Sequence, residues 1–124
     1  MTDEEKLYET FGELLYVIAK ADGVIQDEEK NTLEDLLNNH KWAEQINWSF
    51  NYEVAKGKPI EELYKKVITV CHRIGPSPIY NEFIKGMNTI AEASNGIEKA
   101  ESDKISSFSK DLIERFKRDL DNIR

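Results

Sequence analysis

The side chains with the most chemical potential are oxygen donors, and they gather at two places. The first reads Ala21-Asp22-Gly23-Val24-Ile25-Gln26-Asp27-Glu28-Glu29, the second Ala93-Ser94-Asn95-Gly96-Ile97-Glu98-Lys99-Ala100-Glu101. Each sets a short polar residue before glycine, then an isoleucine, then a glutamate four positions beyond it. At the first corner these residue types invite comparison with a calcium loop. The same positions also have a purely architectural account. Glycine closes a helix in a left-handed turn, and Asp22 or Asn95 bonds nearby backbone. The isoleucine wedges between two helices, and Glu29 or Glu101 caps the next helix for about 0.3–1 kcal/mol.

A tight calcium loop is excluded at the first corner. With Asp22, Gly23, Ile25 and Glu29 at loop positions 5, 6, 8 and 12, the ligands at positions 1 and 3 would be Ile18 and Lys20. Other catalytic chemistry finds little footing. His40 and His72 are the only histidines, and neither has paired zinc-ligand spacing. Cys71 and His72 are sequence neighbours, which point about 100° apart on a helix and do not face each other. Cys71 sits in an apolar stripe and reads as a small core residue. There is no glycine-rich phosphate loop and no serine elbow. No catalytic residue is therefore assigned.

Charge narrows the partners. The chain has a net charge of −7 over 124 residues. Residues 1–39 carry 11 acids against three bases, a net −8, so the remainder is close to neutral. An acidic surface repels phosphate backbones, which argues against nucleic acid and favours a cation or a basic protein patch. A lone cysteine fits a reducing, cytoplasmic setting. The N-terminus lacks a signal peptide's basic and apolar regions, and no apolar run approaches the ~20 residues that span a bilayer.

These residues are carried by helices. Leu7, Phe11, Leu14, Leu15 and Ile18 recur with helical spacing behind Thr2 and Glu5, a capping-box pair, predicting a first helix from Asp3 to about Ala21. Leu33, Leu36 and Leu37 mark a second helix, which frays at Asn38-Asn39. Trp42, Ile46, Phe50 and Val54 recur every four residues and predict a third helix closed by Gly57. Pro59 suits the first position of a fourth helix, whose stripe runs through Ile60, Leu63, Val67, Val70, Cys71 and Ile74. After Pro76-Ser77-Pro78, Ile79, Phe83, Met87, Ile90 and Ala91 form a fifth stripe that ends at Asn95-Gly96. Ile105, Phe108, Leu112, Phe116, Leu120 and Ile123 form the last. The expectation is an all-α, compact single-domain bundle of about six to seven helices over residues 1–124, with two pseudo-repeated helix-turn-helix corners.

The two corners resemble those of the tellurite-resistance TerB family, with the better match over residues 14–37 and a weaker one over 87–113. The same domain type occurs in the N-terminal region of a membrane-anchored J-domain co-chaperone. The resemblance implies a helical bundle of about seven helices and a divalent-cation cluster. Carried over, its ligands are Asp22, Glu29 and Glu101, with Asn95 where the family often has aspartate; the change keeps an oxygen but loses a charge. The expected function is a non-enzymatic, cation-responsive scaffold in a bacterial stress response, with Ca2+ or Mg2+ as cofactor and an unidentified protein partner. A metal-independent interaction domain is the alternative, docking its partner on the acidic first third or on the aromatic segment Trp42, Trp48, Phe50 and Tyr52. That segment otherwise packs the core or covers its end. Lys56, Lys58, Lys65 and Lys66 read as a solvated face. A metal-dependent hydrolase is a remote third reading, since no nucleophile or base is identifiable.

Overall fold

The computed structural model describes residues 2–123 apart from Asp22, Val24, Pro76 and 94–98, and not the side chains of 99–102, 115–116, 119–120 and 122–123. Among the described residues there are six helices and no strand. They are α1 (Asp3–Lys20), α2 (Asp27–Leu37), α3 (Ala43–Lys56), α4 (Ile60–Ile74), α5 (Ile79–Glu92) and α6 (Lys99–Ile123). None of them is long and apolar enough to cross a membrane, among the residues described.

The first helix is the centre of the bundle. Every residue from Thr10 to Ala19 is buried, as are Leu7 and Tyr8. A helix that is apolar nearly all round has to be enclosed on all sides. Accordingly α1 packs against α3, α4, α5 and α6. Its start follows the expected cap, with Glu5 N donating to Thr2 Oγ1 at 3.1 Å.

Two glycines set how closely the helices approach. A Cβ on Gly12 would collide with the Ile46 carbonyl oxygen and lie 2.8 Å from Ser49 Cβ, so the close approach of α3 to α1 at this point depends on glycine. A Cβ on Gly86 would run into the Phe11 ring, which stacks edge-on against Phe83 at 4.8 Å. The core continues through Leu63, Val67, Cys71, Met87, Ile90, Phe108 and Leu112.

Two local expectations shift. Pro59 caps α4 instead of occupying its first turn, because the helix begins at Ile60. The buried face of α3 runs through Ile46, Ser49, Phe50 and Glu53, while Val54 is 42% exposed. Its register is set by contact with Gly12, which admits the small Ser49 side chain. In α2 the cap is Gln26, and Glu29 stands in the first turn as its position suggests.

Candidate functional site

The first corner is built largely as its residues suggest. Gly23 has φ +99°, a left-handed conformation that other residues resist, and Ile25 packs half-buried against the core. Glu29 is 1% exposed, and its Oε1 accepts a hydrogen bond from Gln26 N at 3.0 Å. One carboxylate oxygen of this candidate ligand therefore serves as a helix cap. Of the other candidates, Asp22 and Asn95 lie outside the described residues, and so does the side chain of Glu101. Among the described residues no three acidic, histidine or cysteine side chains converge to hold a metal ion.

A different set of side chains comes together between α1, α3 and α4. Glu13 on α1, one of the acids of the first third, and Glu53 on α3 are 3% and 2% exposed. Lys66 on α4 reaches Glu13 Oε1 at 3.2 Å. Oε2 of Glu13 and Oε2 of Glu53 are buried without a hydrogen-bond donor from the described residues. Burial pushes the Glu13 carboxyl above its usual range, Lys66 opposes the shift, and the nearby Glu53 and Glu9 charges add to it. Glu53 also raises the buried Tyr16 phenol, after burial itself. Both carboxylates line a cleft of about 230 Å³.

The rim of this cleft is aromatic. Trp48 is 61% exposed and Tyr52 41% exposed, one helical turn apart on α3. Their rings stack at 5.3 Å between centroids with 26° between planes. Lys56 and Lys58 Nζ stand 5.4 and 6.0 Å from the Tyr52 ring centroid. The lysine stretch is therefore partly engaged: Lys58 and Lys66 both line the cleft. The aromatic segment divides in two. Phe50 is buried edge-on to Tyr16, and Trp42 stacks on Tyr8 at 5.7 Å, while Trp48 and Tyr52 face outward.

Trp42 belongs to a second polar assembly at the other side of α1. Tyr8 donates to Glu82 Oε2 at 2.6 Å, and His40 Nε2 lies 3.1 Å from Glu82 Oε1. Because Trp42 N donates to His40 Nδ1 at 2.9 Å, the proton of the neutral ring sits on Nε2 and points at Glu82. Burial and the Glu82 carboxylate hold the Tyr8 phenol well above its usual range. Glu82 on α5 thus ties Tyr8 on α1 to His40 in the α2–α3 connection, and both ring nitrogens of His40 are engaged. Cys71 is equally inert: burial pushes its thiol up to about 12.

The cleft had a sequence signal that periodicity alone does not weigh. Glu13 stands within the continuous apolar run of α1, and Glu53 follows Phe50 and Ser49 at spacings of three and four. Charged residues on a buried stripe are costly unless they have work to do or partners to meet. The Tyr8–Glu82–His40 assembly had none, since its members come from three distant parts of the chain. No family model matches the chain, and no curated protein or solved structure matches it.

Proposed function

We propose that this chain is a non-enzymatic binding module that captures a protein partner on the outward face of α3. The carrying observation is the Trp48–Tyr52 stack, two large rings held in water at 61% and 41% exposure. Tryptophan and tyrosine are the side chains most often found as binding anchors, because each buries a large area at little cost in rotamer entropy. Their mutual stacking fixes them before a partner arrives, which lowers the ordering cost of docking. The inert thiol of Cys71 and the doubly bonded ring of His40 support a role without covalent chemistry.

A random peptide library displayed on phage and selected on the whole chain tests this. Enriched peptides should bind the parent protein and fail on Trp48→Ala, whose melting temperature should be nearly unchanged because the ring is exposed. Failure of any sequence to enrich, or equal binding to Trp48→Ala, overturns the reading.

A TerB-like cation role is a separate proposal. It places Ca2+ or Mg2+ on Asp22, Glu29, Asn95 and Glu101, and its support is the sequence resemblance together with the left-handed turn at Gly23. Millimolar Ca2+ or Mg2+ should then raise the melting temperature, and an unchanged melt removes it.

A further inference from the structure

We propose that the cleft between α1, α3 and α4 receives the guanidinium group of an arginine side chain presented by the partner. The inference rests on the docking role of α3 above and adds the chemistry of the group recognised.

Two of the acids that line the cleft each have an oxygen that lacks a donor among the described residues. Glu13 Oε2 and Glu53 Oε2 are both buried, and no described residue donates to either. Lys66 satisfies only the other oxygen of Glu13, at 3.2 Å. The two carboxylates are close enough for Glu53 to act on the Glu13 proton, yet no hydrogen bond joins them. A group seated between them must therefore be positive and must offer N–H bonds in at least two directions. Guanidinium presents five such bonds in one rigid plane. It is also more weakly hydrated than an ammonium ion, so it enters a dry site at lower cost.

The rim asks for the same group. A flat cation stacks well on indole and phenol faces. Tyr52 already attracts cations from within the chain, with Lys58 Nζ 6.0 Å from its ring centroid. Lys58 also lines the cleft, so it acts as an internal competitor that an arriving arginine displaces. The size is consistent with a single side chain: about 230 Å³ is below the roughly 300–1,000 Å³ typical of pockets for whole small molecules. Glu9 also lines the cleft, but it is half-buried and engaged by Lys6 at 3.7 Å, which leaves Glu13 and Glu53 as the principal anionic feature.

The test is an amide and indole NMR titration of the isotope-labelled whole chain with the peptide acetyl-Gly-Arg-Gly-amide. Its control is the citrulline peptide, which has nearly the same shape but no charge. Arginine should move the Trp48 indole and the amides of Glu13, Ser49, Tyr52 and Glu53, and citrulline should not. Glu53→Gln should weaken binding roughly tenfold, the scale of a lost charge-assisted hydrogen bond. Lys58→Ala should strengthen binding by removing the competitor, a change that a merely structural lysine would not produce. Absence of shifts with arginine, equal shifts with citrulline, or weaker binding by Lys58→Ala overturns the proposal. Should Glu53→Gln unfold, the citrulline and Lys58→Ala arms decide the matter. Library peptides that need Trp48 but show no preference for arginine would remove the guanidinium and leave the docking face. Indifference to Trp48 would remove the docking face itself.

Discussion

Gly12 is the hinge of the site's construction, and replacing it with alanine puts that claim at risk. In an exposed helix, Gly→Ala stabilises by about 0.8–1 kcal/mol because alanine loses less backbone entropy on folding. Here the added Cβ would collide with the Ile46 carbonyl oxygen and approach Ser49 Cβ to 2.8 Å. One obstacle is backbone and the other is the root of a side chain, so no rotamer change relieves them. Overpacking of this kind costs about 1–3 kcal/mol, and an unyielding backbone places it in the upper half of that range. The difference is a net loss of about 1–2 kcal/mol. For a chain of this size that lowers the melting temperature by roughly 3–10 °C. Gly86→Ala is the internal comparison, since its neighbour is the Phe11 ring, a side chain that can pivot. Thermal melts by circular dichroism read both variants. A rise in melting temperature for Gly12→Ala, or a larger loss for Gly86→Ala, would refute the close α1–α3 contact. The same contact sets Glu13 beside the α3 face that carries Glu53, so its failure would also undo the cleft.

Two further outcomes follow from burial. The folded-state pKa of Glu13 is raised, so the stability it contributes is full below the unfolded carboxyl value and is lost as pH rises through the folded value. Glu13→Gln should therefore melt higher than the parent protein near pH 7, with the gap closing at about pH 4; a lower melt near pH 7 would show that Lys66 outweighs desolvation. Cys71, with its thiol pushed up to about 12, should ignore iodoacetamide in the folded chain at pH 8 and react fully in denaturant, as mass spectrometry would read. Rapid labelling of the folded chain would contradict its burial.

Much of the scaffold is local physics, and so was legible in the residues. Thr2 caps α1, Gly57 with φ +65° closes α3, and the stripe from Leu63 to Cys71 fixes the inward face of α4. Caps, left-handed turns and helical periodicity act over a few residues, so one sequence is enough to read them. The corner at Gly23 and Ile25 belongs to the same class, as does the use of Glu29 to cap α2. Periodicity cannot say how wide a buried stripe is. It took the close approach at Gly12 to turn α3 so that Glu53 faces inward and Val54 outward. It took enclosure of α1 by four other helices to convert Glu13 from a surface acid into a buried carboxylate. Which aromatic rings remain in water, and which lysine meets which acid, depend on pairings between residues dozens of positions apart. Burial, charge pairing and desolvation are properties of that packing, and only the tertiary structure decides them.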